Sequence, residues 1–414
     1  MRLVLEIIGN TTACSQFCIF FGSPACSKCI FPIRGYGGIV RIVLLGTVVA
    51  SVFNFRIALI KELVARNHTV YVFCVDYDDV SREKVVALGA IPVDYSLNRA
   101  GLNPIRDLAD TWKLFRQLKK IAPDVVLSYF VKPVIFGSIA ARMAAVPRNI
   151  GMLEGLGYVF TDLPDGLKRK QRILRWVQVF LYRLALPGLD RLIFLNPDDS
   201  TDLLSRNGLK AKNVSILGGI GVDLEKYPYT PLDAQRSPSF IFVGRLLAEK
   251  GINEYVAAAK KVKSLHPEAR FVVLGGLDEE NPGGLSRLEL DDLIASGVVE
   301  YPGHVSSVGQ WLADASVFVL PSYREGVPCS TQEAMAVGRA VITTDVPGCR
   351  ETVVDGVNGY LVPRWDAEAL AQKMLGLVRD PVLVARMGEE SRRLAEKRFD
   401  AEKVNARLIQ MLLD

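Results

Sequence analysis

From Val40 to the end of the chain, short apolar runs rich in Val, Ile and Leu alternate with longer segments of helical periodicity. A run such as Val40-Arg-Ile-Val-Leu-Leu-Gly46 is too short for a helix and apolar at nearly every position, as a strand buried on both faces must be. Strands separated by whole helices cannot be joined as hairpins, so the alternation predicts parallel sheets covered by helices on both faces. Strands are expected at 41–46, 69–75, 124–128, 148–153, 190–195 and 213–217, with helices at 55–66, 104–121, 134–145 and 166–185 among them. The rhythm lapses where Gly218, Gly219, Gly221, Pro228, Pro231 and Pro238 punctuate the chain. It then resumes, with strands at 239–244, 270–275, 298–301, 316–320, 340–343 and 359–362. Two such series predict an α/β protein of two doubly wound, Rossmann-like domains facing a central crevice. The first spans 40–218, a linker 219–238, and the second 239–398; a last helix, 399–414, is expected to return to the first domain. A length of 414 residues suits two domains of this size.

Residues 1–39 stand outside this rhythm and are read as a leader that is no part of the fold. Cys14, Cys18, Cys26 and Cys29 fall there, and Cys26-Ser-Lys-Cys29 has knuckle-like spacing, but the intervals between the other cysteines match no common zinc module. Glu6 and the short apolar stretch from Phe17 to Phe21 make a poor secretory signal. No run of about 20 strongly apolar residues offers a membrane span. Cys74, Cys329 and Cys349 are scattered and read as reduced cytosolic thiols.

With 50% hydrophobic and 23% charged residues, disorder and fibrous structures are excluded as the main state. The net charge of +5 is too small to indicate nucleic acid, and none is expected as a partner. Its placement is uneven. Between Arg41 and Lys212 there are 25 Lys and Arg against 16 Asp and Glu, and after Lys212 there are 22 against 28. A basic first half fits an anionic partner.

Two segments carry chemistry. In Ser322-Tyr-Arg-Glu325-Gly-Val-Pro328-Cys-Ser330-Thr331-Gln-Glu333, Pro328 precedes a helix that starts near Ser330, directly after the strand Val317–Leu320. The free N–H groups of a helix start suit a phosphate. Glu325 and Glu333 would repel phosphate but suit the hydroxyls of a sugar and a ribose, to which an ionised acceptor bonds strongly. A helix capped by Ser330 with Glu333 as capping-box partner explains one glutamate and leaves Glu325 over. In Gly244-Arg245-Leu-Leu-Ala-Glu-Lys250-Gly251, after the strand Phe240–Val243, a guanidinium and an ammonium are close enough to share one diphosphate. Two solvated cations are the alternative, and the location at the carboxyl edge of a parallel sheet favours a site.

Together, G-R-x4-K at Gly244–Lys250 and E-x7-E at Glu325–Glu333, with Gly303-His304-Val305 between them and Asp345-Val-Pro-Gly348 and Glu351 after them, resemble the retaining nucleotide-sugar glycosyltransferases of family GT4, which have the GT-B fold. The resemblance extends from about Val40 to the end. It implies that Arg245 and Lys250 hold the donor diphosphate, Glu325 the donor sugar and Glu333 the ribose. Backbone N–H groups at Ser330 and Thr331 would support phosphate, the backbone at Val305 would lie near the nucleobase, and Gly244, Gly326, Val327 and Pro328 would complete the donor site. In the first domain, Asn54-Phe55-Arg56, Asp94 to Pro104, Ser128-Tyr-Phe-Val-Lys132-Pro133 and Glu154-Gly-Leu-Gly157 are similar to bacterial capsule and lipid-linked-oligosaccharide enzymes of that family. These include transferases of N-acetylhexosamine to undecaprenyl-diphosphate-linked sugars.

The sequence departs from the family at two points. The first loop, Gly46 to Asn54, lacks the usual Gly pair, and Glu154 stands roughly where many members have a crevice histidine. Glu154 and Lys132 are therefore expected to face the crevice, Lys132 being equally readable as a surface lysine. The catalytic set expected is Glu325, Arg245, Lys250 and Glu154. Asp76-Tyr-Asp78 mimics a metal-binding D-x-D but reads as the acidic end of a strand, and no metal or other cofactor is expected. The absence of G-x-G-x-x-G after a strand excludes a dinucleotide loop. Lys168-Arg-Lys-Gln-Arg172, leading into Trp176, Val177, Phe180, Leu181 and Tyr182, reads either as a helix resting on an anionic membrane or as a domain helix with a basic face. The expected activity is transfer of a sugar from a UDP-sugar to a polyprenyl-diphosphate-linked saccharide, in the cytoplasm at the inner face of the plasma membrane. A UDP-sugar epimerase on the same fold and a non-enzymatic nucleotide-sugar-binding protein are the alternatives.

Overall fold

The computed structural model describes residues 38–98, 104–233, 238–278, 281 and 283–414; the four cysteines of the leader lie outside the described residues. The first half runs β1 (Arg41–Leu45), α1 (Val49–Phe55), α2 (Ile57–Ala65), β2 (Thr69–Cys74), α3 (Asp79–Ala87), β3 (Ile91–Asp94), α4 (Pro104–Ile121), β4 (Val125–Tyr129), α5 (Ser138–Met143), β5 (Arg148–Leu153), α6 (Arg169–Ala185), β6 (Arg191–Phe194), α7 (Pro197–Leu203) and β7 (Val214–Ile216). The second runs β8 (Ser239–Val243), α8 (Ile252–Leu265), β9 (Arg270–Leu274), α9 (Arg287–Ala295), β10 (Glu300–Gly303), α10 (Val308–Asp314), β11 (Val317–Leu320), α11 (Cys329–Val337), β12 (Ala340–Thr344), β13 (Gly359–Val362), α12 (Ala367–Arg379), α13 (Pro381–Arg398) and α14 (Ala401–Leu413).

Each half is one parallel sheet, ordered β3-β2-β1-β4-β5-β6-β7 and β10-β9-β8-β11-β12-β13. The expected strands are present, and the central ones are buried along their length, β4 and β12 at every residue. In the first sheet Ile42 faces Val70 of β2 and Val125 of β4 across the ladder. Strand order reverses between β1 and β4 and again between β8 and β11, so the loops after these strands splay apart and leave a crevice at the carboxyl edge.

The first half differs from expectation at β3 and α1, and shows what the acidic pair after β2 does. β3 is an additional strand; it is short, carries Pro92, and lies at a sheet edge where a missing N–H is tolerated. The helix expected at 55–66 is α2, and a further short helix, α1, precedes it in the first loop; Arg56, with φ of −123° and ψ of −5°, turns the chain between the two. The D-x-D is structural: Asp76 accepts from the amide of Val49 at 2.7 Å, and Asp78 caps α3 in a reciprocal box with Ser81.

Ile39–Asp414 forms a single unit. Val222, in the connection between the sheets, donates its N–H to Phe399 and accepts from Ala401, and α14 packs on α2 of the first half. Arg339, wholly buried, donates to the carbonyl of Ala315 at 2.9 Å and to that of Thr230, fastening the connection to the second half.

Candidate active site

The loops after β8 and β11 approach closely at one glycine and are joined beside it by the Tyr323 N–H, which donates to the Glu249 carbonyl at 2.9 Å. Gly251 has φ of +78°, and a Cβ there would drive into the carbonyl oxygen of Pro321. A short turn at Ala248–Lys250 precedes it and aims Lys250 at the neighbouring loop. The Lys250 Nζ lies 2.5 Å from Oε1 of Glu325, which also accepts from the Ser322 hydroxyl at 2.8 Å. Arg245, at the other end of the turn, is mostly exposed and pairs with Asp278 at 2.6 Å. The two cations expected to share one anion are thus each paired with a carboxylate, and one of those carboxylates is the glutamate expected to bind sugar.

α11 begins without a side-chain cap. Its N-cap residue is Pro328, Ser330 falls inside the first turn, and the capping box of Ser330 with Glu333 is not formed. The first N–H groups of this helix therefore open toward the crevice with nothing from their own side chains to satisfy them. Glu333 instead shares a hydrogen bond with Tyr227 of the connection, and burial raises its carboxyl above the ordinary range. Cys329, at the helix start, has its thiol pushed up to about 12 by burial and is protonated at neutral pH.

The first half closes the crevice opposite these loops. Glu154, at the end of β5, is ion-paired with Arg56, both side chains being almost wholly buried. The Arg56 guanidinium lies 4.6 Å from the centre of the Tyr129 ring. The break between α1 and α2 places Arg56 here. Glu154 also meets the loop from the second half through its backbone: a Cβ on Gly326 would collide with the Glu154 carbonyl.

Phe55, Glu154 and Leu195 from the first half and Ile220 of the connection face Gly244, Arg245, Lys250, Glu325, Gly326, Val327, Pro328, Cys329 and Ser330 from the second around a cavity of about 250 Å³. Nine of the residues singled out in the sequence converge here. Three do not line it: Thr331 is fully buried behind the helix start, Glu333 lies one turn in, and Val305 follows β10 toward the sheet edge. Lys132 is partly buried against Asp107 of α4, with Nζ 3.4 Å from Oδ1.

A cavity of about 310 Å³ lies on the far side of the Glu325 loop. Its walls are ion pairs between the halves that sequence reading missed: Arg324 with Asp199 and Asp202, Arg350 with Asp198 at 2.7 Å, and Arg364 with Asp162 at 3.0 Å. The available signal was the run Asn196-Pro-Asp-Asp199 after a strand and the position of Arg324 next to Glu325.

Residues 55–226 match the family model described as Glycosyltransferase Family 4, and residues 237–380 the model described as Glycosyl transferases group 1. The N,N'-diacetylbacillosaminyl-diphospho-undecaprenol alpha-1,3-N-acetylgalactosaminyltransferase of Campylobacter jejuni is 31% identical over 355 residues, which cover 83% of this chain and 90% of that protein. The UDP-Gal:alpha-D-GlcNAc-diphosphoundecaprenol alpha-1,3-galactosyltransferase of Escherichia coli is 27% identical over 293 residues, 67% of this chain and 72% of that protein. Among solved structures, HepE of Anabaena in complex with UDP and glucose superposes with a TM-score of 0.71 at 17% identity, covering 90% of this chain and 99% of that one. Two doubly wound sheets around one crevice, superposable on that structure, are the GT-B fold. The chain belongs to glycosyltransferase family 4 and is an enzyme of that family.

Proposed function

We propose that this glycosyltransferase moves an N-acetylhexosamine from a UDP-sugar to a saccharide linked to a polyprenyl diphosphate, with retention of configuration. The observation that carries the reading is the convergence of Arg245, Lys250, Glu325 and the uncapped start of α11 at the switch point of the second sheet, facing Glu154. Both curated relatives named above have a diphospho-undecaprenol-linked sugar in their names, and one is an N-acetylgalactosaminyltransferase.

In this reading the donor diphosphate lies between the start of α11 and the cations Arg245 and Lys250. Negative charge grows on that diphosphate as the bond to the sugar breaks, and these groups stabilise it in place. Glu325, held by Ser322 and Lys250, takes the sugar hydroxyls, and Glu333 the ribose. Glu154, held by Arg56, faces the side from which the acceptor enters.

The membrane face is assigned to α6 and α4. Ile173, Trp176, Phe180 and Leu184 of α6 are all exposed and recur at helical spacing, flanked by Lys168, Arg169, Lys170 and Arg172. Tyr182, expected from the sequence to join this surface, is instead wholly buried. Ile105, Leu108 and Trp112 form a similar exposed stripe on α4, and α5 packs against both helices. Such stripes with a basic border suit the interface of an anionic bilayer and support the reading of a peripheral enzyme at the inner face of the plasma membrane. No helix among the described residues is long and apolar enough to cross a membrane.

The test is UDP release from a panel of UDP-sugars, with and without a polyprenyl-diphosphate-sugar extract. Release from one donor only when extract is present is the expected result. A donor sugar altered without any acceptor would point to an epimerase. UDP binding without release under any condition would sink the transferase reading.

A further inference from the structure

We infer that Asn196, in the β6–α7 turn of the first half, and Asp199, in the first turn of α7, position Glu325 by gripping the residues on either side of it. The inference rests on the donor-sugar role proposed above for Glu325. The Asn196 side chain is fully buried and both ends of its amide are committed. Oδ1 accepts from the N–H of Asp199 at 2.8 Å and so caps α7; Nδ2 donates to the carbonyl of Gly326 at 2.6 Å. The amide cannot be turned round, since only its oxygen can accept from an N–H and only its nitrogen can donate to a carbonyl. Asp199, also fully buried, is ion-paired with Arg324, and the Arg324 Nε lies 3.1 Å from its Oδ1. Asp202 takes the same guanidinium at 2.7 Å.

Glu325 is therefore held from two directions. Its carboxylate is fixed within the second half by Ser322 and Lys250, and its N–H donates to the carbonyl of Pro347 at 3.0 Å. Its neighbours, Arg324 and Gly326, are fixed by the first half. The position of a sugar-binding carboxylate is thus set by contacts across the two halves, whereas Arg245, Lys250 and the start of α11 all belong to the second half. An error of about 1 Å in such a group costs roughly 10²-fold in rate. Loss of the grip is expected to show in turnover and not in UDP affinity. Asn196 and Asp199 are positioning residues and touch no substrate.

Asn196→Asp separates the two duties of the side chain: aspartate is a good cap, but its oxygen faces the Gly326 carbonyl in place of a donor. Arg324→Met with Asp199→Asn removes the ion pair and leaves Asp202 to Arg206, 3.0 Å away, and Arg324→Lys keeps the charge but not the planar fork. UDP affinity is measured by calorimetry, kcat and KM for the donor by UDP release, and folding by thermal melting. The expected result is UDP affinity within about twofold of the unaltered protein, with kcat lower by about 10–100-fold in the first two variants and by less in Arg324→Lys. Unchanged kcat in Asn196→Asp and in the double variant would overturn the inference, as would UDP affinity falling in step with kcat. If the unaltered protein binds UDP but releases none from any donor, the transferase reading itself fails, and the positioning role fails with it.

Discussion

Lys250 and Glu325 are 75 residues apart in sequence, and their charged atoms stand 2.5 Å apart across the loops of β8 and β11. Only 22% and 10% of the two side chains are exposed, so each is the other's main compensation. Removing one partner strands the other charge in a poorly solvated site, at a cost of about 3 kcal/mol for well-buried pairs. Lys250→Met is expected to lower the melting temperature and to reduce transfer by about 10²–10³-fold. Combining it with Glu325→Leu should restore much of the melting temperature and none of the activity. A double variant as unstable as the single one would show that the pair is not what Lys250 contributes to the fold.

Glu333 gives the activity an acid limb. Burial raises its carboxyl above the ordinary range, against the hydrogen bond with Tyr227 and the charge of Lys226, which favour the ion. As pH falls, Glu333 gains its proton while an unperturbed glutamate would still be ionised, and the acid form is a poorer acceptor for ribose hydroxyls. Donor KM should rise on the acid side at a pH above the usual glutamate range. Glu333→Gln should have a raised KM without that limb. The linked stability contribution runs the opposite way: folding favours the protonated form, so it is full below the unfolded-state value and is lost as pH rises through the folded one. A KM profile with no acid limb in the unaltered protein would count against the ribose assignment.

Gly251→Ala tests whether the two donor loops must touch. A left-handed alanine costs about 1–2 kcal/mol, and its Cβ would also push the Pro321 carbonyl, which leads into the Glu325 loop. Reduced melting temperature together with lost UDP binding is expected. Normal binding would mean the loops can separate without consequence for the donor.

Trp176→Glu with Phe180→Glu alters two exposed, stacked rings of α6 whose centres are 6.1 Å apart. Since neither is buried in the fold, the melting temperature should hold. Binding to phosphatidylglycerol vesicles should weaken by at least tenfold, as burying one such ring is worth about 1.5–3 kcal/mol. Added salt should weaken the unaltered protein's binding too, because each Lys or Arg near the surface adds about 1 kcal/mol.

Cys74, Cys329 and Cys349 should resist alkylation in the native protein. Burial pushes all three thiols up to about 12, so at pH 8 roughly one in 10⁴ is a thiolate. Peptide mapping after iodoacetamide at pH 8 checks this, with the denatured protein as the positive control. Cys329 is half-buried and lines the crevice cavity, so its rapid native labelling would show that its thiol is not held in the protonated form.

The chain itself dictated the two parallel sheets and the composition of the donor loops. Buried parallel strands need apolar side chains on both faces, and crossovers need helices between them; both leave a periodic trace within a dozen residues, as in Val125–Tyr129 or Phe240–Val243. Arg245, Lys250 and Glu325 were legible because each sits in a loop that follows such a strand, at the edge where parallel sheets open, and Glu333 because it lies one turn into the helix after one of those loops. The tertiary structure alone decided which of these groups meet. Lys250 reaches Glu325 because β8 and β11 are neighbours in the sheet, Arg56 reaches Glu154 from the turn between α1 and α2, and Asn196 reaches Gly326 from the other half, 130 residues away. Contacts of that kind depend on strand order and on how one half packs on the other. A single hydrogen-bonded side chain in a turn adds no periodicity to its neighbours, so nothing local in the chain announces its partner.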